Sequence, residues 1–159
     1  MSSVLAIDPG YDRVGIAVFE KEVLVHSECF TPPSKEFATR LVEIQSHLDD
    51  LVQEYQPQAL ALETLFFNKN HKTALKVAEA RGAITVTAAK HGLTVHEYSP
   101  QAVKIAVTGS GNADKASVIK MVERLVALPP LKRHDDELDA IALGLCAIHT
   151  LKYKALQSL

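Results

Sequence analysis

Short apolar runs alternate with longer amphipathic stretches along the chain. Val4–Ile7 is continuously apolar and closes on Asp8-Pro9-Gly10, which reads as a buried strand ending in a turn. Val14–Phe19 is rich in β-formers and Val23–Cys29 alternates weakly. Short turns join these three runs, which predicts an antiparallel meander. Pro32-Pro33 breaks the chain, and Ser34 is the expected N-cap of a helix. That helix carries Phe37, Leu41, Ile44, Leu48, Leu51 and Tyr55 on one face and stops at Pro57. Ala59–Leu62 is a fourth strand, ending at Glu63. A polar loop with two aromatics, residues 64–73, leads into a helix over 73–89 that is rich in small residues and apolar nearly all round. Such a helix needs cover on two sides, from the rest of the chain or from a second copy of it. Leu93–Tyr98 is the fifth strand. A short helix over 100–105, a flexible loop over 108–112 and a helix over 115–126 follow. The last of these turns Val118, Met121, Val122 and Leu125 inward. A final helix from about His134 to His149 buries Leu138, Ile141, Ala142, Leu145 and Ile148. The order predicts a single α/β domain over residues 1–159. Its five-stranded mixed sheet has three antiparallel strands plus two parallel ones, flanked by helices.

Composition narrows the class. A chain of 159 residues with 47% hydrophobic and 23% charged residues has an ordinary globular balance. Net charge of −2 excludes a global basic signal, so any nucleic-acid surface must be a local patch. No basic leader with a long apolar stretch and no run of membrane-spanning length is present, and the expected location is cytoplasmic. Cys29 and Cys146 have no partner spacing and fit reduced thiols. The histidines lack closed zinc-site spacing, and Gly109-Ser-Gly111 is not a phosphate-binding loop.

The candidate chemistry is acidic. Asp8 follows one apolar strand and Glu63 another, where open α/β sheets place ligands. Asp136 and Asp139 are three apart on a helix face; Asp135 and Asp139, four apart, share a face equally well. Taken singly, Asp8 reads as a turn residue, Glu63 as a solvated strand end, and Asp135 or Asp136 as a helix-start acid. Asp139 lies between Leu138 and Ile141, where a lone carboxylate costs stability. Together the acids point to a divalent-metal site for phosphoryl transfer, in which two ions about 4 Å apart activate water and steady the leaving oxygen.

These residues, in order, resemble a known family. Asp8-Pro-Gly with Arg13-x-Gly15, Glu63 followed by Phe66-Phe67-x-Lys69-Asn70, Ala80-Arg81-Gly82, and Asp136 with Asp139-Ala140-x-Ala142 resemble the RuvC-type Holliday-junction resolvases. The resemblance covers almost the whole chain. It implies an RNase H-like fold and Mg²⁺-dependent nicking of four-way DNA junctions by a homodimer, with two ions per site and Mn²⁺ as a substitute. By position the metal ligands are Asp8, Glu63, Asp136 and Asp139, with Asp135 an adjacent rival. Lys104 and Lys115 match lysines near the scissile strand, and Phe66 matches a loop aromatic that wedges against bases, with Phe67 beside it. The implied partners are junction DNA, a second copy through the 73–89 helix, and a branch-migration complex. The chain departs from the pattern at Tyr11-Asp12, where Asp12 adds a carboxylate near the site.

Positive charge is local. Lys69, His71, Lys72, Lys76 and Arg81 surround the aromatic loop, and Lys104, Lys115, Lys120, Arg124, Lys132 and Arg133 precede the acidic helix. Basic rims around an acidic centre suit a phosphate backbone. Two readings compete with the resolvase: an RNA-processing YqgF-type nuclease on the same fold, and a non-catalytic junction-binding protein.

Overall fold

The computed structural model describes residues 3–10, 12–65 and 71–157, less the side chains of residues 71 and 72. Strands β1 (Ser3–Pro9), β2 (Val14–Glu20) and β3 (Val23–Phe30) form the antiparallel meander. Helix α1 (Phe37–Tyr55) leads to β4 (Ala59–Glu63), and α2 (His71–Lys90) leads to β5 (Thr94–Tyr98). Three helices follow: α3 (Pro100–Thr108), α4 (Lys115–Leu125) and α5 (Asp135–Gln157). The sheet order is β3-β2-β1-β4-β5, with β1–β4 and β4–β5 parallel, so the mixed five-stranded sheet is the one expected.

Alternation within the strands sorts the core into two layers. Leu5, Ile7, Val14, Ile16, Val18, Leu60 and Leu62 face α1 and α2, meeting Ile44, Leu48, Leu51, Ile84 and Ala88. Val4, Ala6, Ala17, Phe19, Ala59 and Ala61 face α5, with α3 and α4 behind it. The second face carries mostly alanines, which lets α5 lie close to the strands. Gly144 completes that fit, because a Cβ there would overlap the Phe19 ring.

Several local expectations are corrected. Glu36, not Ser34, caps α1, accepting from the amides of Ala38 at 2.9 Å and Thr39 at 2.6 Å. Ser34 instead donates its hydroxyl to Glu43. Helix α3 runs through Thr108 and ends at Gly109 in the left-handed region, so part of the expected loop is helix. Leu125 closes α4 at 49% exposure because the inward stripe ends at Val122. Helix α5 continues to Gln157 and buries Ala140, Leu143, Gly144, Cys146 and Ala147 besides the five residues expected, because the sheet covers one side and α3 and α4 the other. No helix among the described residues is long and apolar enough to cross a membrane.

Candidate active site

Strands β1 and β4 pair in parallel, with Ala6 opposite Ala61 and Ile7 opposite Leu62. Continuing that register sets Asp8 and Glu63 level at neighbouring carboxyl ends. By alternation, Asp8 shares the face of Val4 and Ala6, and Glu63 that of Ala59 and Ala61. This is the face covered by α5, whose first turn carries Asp136 and, three residues on, Asp139. Gly15 makes the approach possible. It pairs with Asp8 across β1–β2, and a Cβ on it would overlap the backbone carbonyl of Asp136. The start of α5 is therefore seated on the residue beside Asp8, with its acids at the positive end of the helix dipole.

The electrostatics follow from that seating. The Asp8 carboxyl is pushed from 3.8 up to about 7, first by burial, then by the charges of Asp139, Glu63 and Asp136, with Lys115 pulling the other way. Burial and then Asp139 raise Glu63. Burial also raises Asp139, against the hydrogen bond and charge of Lys115. Lys115 stands at the first position of α4 and donates from Nζ to Asp139 Oδ2 at 3.0 Å, with Asp135 Oδ2 at 3.4 Å. Burial lowers its pKa, but the hydrogen bond to Asp139 and the charges of Asp139 and Asp135 outweigh that and leave it raised.

The three acids that open α5 have separate partners. Asp135 is 65% exposed and faces Lys115. Asp136 is 23% exposed, contributes to the field at Asp8, and accepts from Arg13 Nε at 2.5 Å. Glu137 turns to the meander and accepts from Ser27 Oγ at 2.7 Å and Arg133 Nε at 3.2 Å. Arg13 is the residue whose role the sequence did not reveal. Its signal was its position, just past the Asp8 turn and two residues before Gly15.

Two open hollows adjoin the acids. One, of about 270 Å³, is lined by Glu63, Lys104, Lys115 and Asp139. The other, of about 240 Å³, is lined by Asp8, Glu63, Leu65 and Val77. Lys104 thus joins the site, and its charge acts on Glu63. Lys76 is exposed on α2, with Nζ 5.5 Å from the centre of the Phe37 ring. Arg81 sits apart from the exposed rim: its side chain is largely buried and pairs with Glu97 at 2.7 Å. Phe66, Phe67 and Lys69 lie outside the described residues, as does the side chain of Lys72.

The donor set suits a hard divalent cation. Carboxylate oxygens from β1, β4 and α5 repel one another in a partly buried setting, and a cation held among them would relieve that repulsion. Among the described residues, no three acidic, histidine or cysteine side chains close on one point as ligands. Asp136 and Asp139 are instead held by Arg13 and Lys115.

Comparison with known proteins points to one family. Residues 4–147 match the family model described as crossover junction endodeoxyribonuclease RuvC. The chain is 40% identical over 154 residues to the RuvC of Syntrophomonas wolfei, covering 94% of this chain and 90% of that one. It is 41% identical over 155 residues to that of Heliobacterium modesticaldum, covering 94% and 96%. The solved structure of T. thermophilus RuvC in complex with a Holliday junction substrate is similar with a TM-score of 0.86 at 30% identity, covering 94% of this chain and 95% of that one.

Proposed function

The chain belongs to the RuvC family of crossover junction endodeoxyribonucleases, and from that premise we propose that it resolves four-way DNA junctions by paired, symmetric phosphodiester hydrolysis during recombination and repair. The observation that carries the reading is the convergence of Asp8, Glu63 and Asp139 from two strand ends and a helix, each with its carboxyl pKa raised. Family membership favours DNA junctions over the RNA precursors of YqgF-type proteins. An intact acid set gives no support to a non-catalytic binder.

Asp8, Glu63, Asp136 and Asp139 would hold Mg²⁺, two ions by the number of carboxylates, with Mn²⁺ as a substitute. Bound there, the ions supply an activated water and a counter-charge for the leaving oxygen. Asp8 feels all three other acids and is the carboxylate suited to be shared. Lys115 neutralises charge developing on the phosphate from its place beside Asp139. Lys104, on the wall of the adjoining hollow, steadies the scissile strand. Lys69, Lys72 and Lys76 hold backbone phosphates, and Phe66 and Phe67 stack on bases unpaired at the crossover. Arg81, paired with Glu97, belongs with the fold rather than the DNA surface.

Two cuts on symmetric strands call for two sites, and a homodimer through α2 supplies them. This is supported by an uncovered stripe on that helix, where Leu75 and Val86 are 61% and 55% exposed and Gly82 faces open space. The reaction belongs in the cytoplasm, where the bacterial relatives keep their DNA, with a branch-migration complex as the partner that delivers junctions.

The test uses labelled four-way DNA, duplex DNA and structured RNA with Mg²⁺. Paired symmetric nicks confined to the four-way DNA are expected. Glu63→Gln and Asp139→Asn should bind the junction with near-normal affinity and cut at least about 100-fold more slowly. Normal cutting by either variant would sink the ligand assignment.

A further inference from the structure

Asp136 takes its position from two directions. Its backbone is seated on Gly15, and its side chain is gripped by Arg13, whose Nε lies 2.5 Å from Oδ2. Among the described residues, no such contact is made to Oδ1. Arg13 lies in the turn that follows Asp8, and that turn is itself clamped. Arg40 on α1 donates from Nη1 to the carbonyls of Pro32 and Ser34, each at 2.9 Å, and from Nη2 to the Asp12 carbonyl. The Asp12 carboxylate lies 3.3 Å from the same Nη2. The Arg40 side chain is 13% exposed and that of Arg13 is 46% exposed. An ion pair as open to water as that of Arg13 contributes little to folding, which leaves orientation as the effect that matters.

We propose that Arg13 is a positioning residue for the metal-binding carboxylate of Asp136, and that Arg40 holds the turn from which Arg13 reaches it. The relay runs from α1 through residues 12 and 13 to the first turn of α5. It accounts for the choice between neighbouring acids. Asp136 is held at Oδ2, with its other oxygen uncontacted among the described residues, whereas Asp135 is 65% exposed and faces Lys115. Carboxylates that bind metals are commonly hydrogen-bonded from behind, and removing such a partner weakens metal binding by about 10- to 100-fold. Arg40 acts one step further out, so its loss should have a smaller effect in the same direction.

The inference rests on the acids binding metal, and the experiment separates the two. Mn²⁺ binding is measured by calorimetry on wild type, Asp139→Asn, Arg13→Gln, Arg13→Lys and Arg40→Gln without DNA, alongside junction affinity in Ca²⁺ and cleavage against Mn²⁺ concentration. Arg13→Gln should weaken Mn²⁺ binding by about 10-fold. Its junction affinity should be unchanged and its cleavage should recover at high Mn²⁺. Arg13→Lys should restore part of the binding, and Arg40→Gln should weaken it to a lesser degree with a normal circular dichroism spectrum. Unchanged or tighter Mn²⁺ binding by Arg13→Gln, with wild type binding normally and Asp139→Asn not, overturns the positioning role alone. Loss of junction affinity matching the loss of cutting also overturns it and makes Arg13 a DNA contact. Wild type and Asp139→Asn binding Mn²⁺ equally overturns the metal reading and this inference with it.

Discussion

Asp8 ends a buried strand with three other carboxylates around it, and its ionisation is the costliest single event at the site. The carboxyl moves from 3.8 in a free chain to about 7 in the folded one, a difference worth roughly 4 kcal/mol. Because the folded pKa is raised, the folded state binds the extra proton, and stability is lost as pH rises from about 4 to about 7. Asp8→Asn removes the charge that causes the loss. In EDTA the variant should therefore melt higher than wild type at pH 8, with the gap closing toward pH 4, as read by thermal unfolding. Adding Mg²⁺ should raise the wild-type melting temperature most above pH 7 and raise that of the variant much less, because ligand binding stabilises the state that binds. A gap independent of pH would show that Asp8 is not the strained carboxylate.

Among the elements, α5 decides whether the site exists, since it brings two of the four acids. It can do so because β1, β2 and β4 present Ala6, Ala17, Ala59 and Ala61 to it, and because Gly15 and Gly144 lie at its closest approaches. At Gly15 the opposing atom is backbone, which cannot turn aside as a side chain could. Gly15→Ala should therefore cost about 3 kcal/mol, the upper part of the range for overpacking, and should reduce junction cutting further than the stability loss explains. Urea unfolding and cleavage rates on the same samples check this. A variant of wild-type stability and activity would mean that the start of α5 has room to shift. Glu137 secures the same turn from the other side through Ser27 and Arg133, so the acids are carried by a turn held on both flanks.

At the scale of the whole molecule, a net charge of −2 gives no overall attraction to DNA, so the affinity must come from local geometry. The proposed dimer places the weight on the exposed face of α2. Leu75 and Val86 are eleven residues apart and fall on one line of the helix. Exchanging both for glutamate should leave the circular dichroism spectrum intact and shift the sedimentation equilibrium at least about 10-fold toward monomer, as burying charge at an interface requires. Junctions should then receive single, uncoupled nicks. A wild type that sediments as a monomer at all concentrations would remove α2 as the interface.

Much of this was legible along the chain. The five strands and the helices are encoded in periods of two and 3.6 residues and in turn residues that act over a few positions, and their order and most of their ends were found within a few residues of their place. Misplacements fell at the ends, where local signals compete: Glu36 displaced Ser34 as the cap of α1, and packing drew α5 on to Gln157. What the sequence by itself determined is that carboxylates end buried strands and open a helix, with a family pattern around them. Only the tertiary structure decided which carboxylate meets which partner. Arg13 and Asp136 are 123 positions apart, Arg40 and Asp12 are 28 apart, and the glycine that lets α5 settle lies on a strand far from that helix. Such pairings carry no local period. They arise when two layers close on one sheet, and the space left over Gly15 admits the backbone of Asp136 at the start of α5.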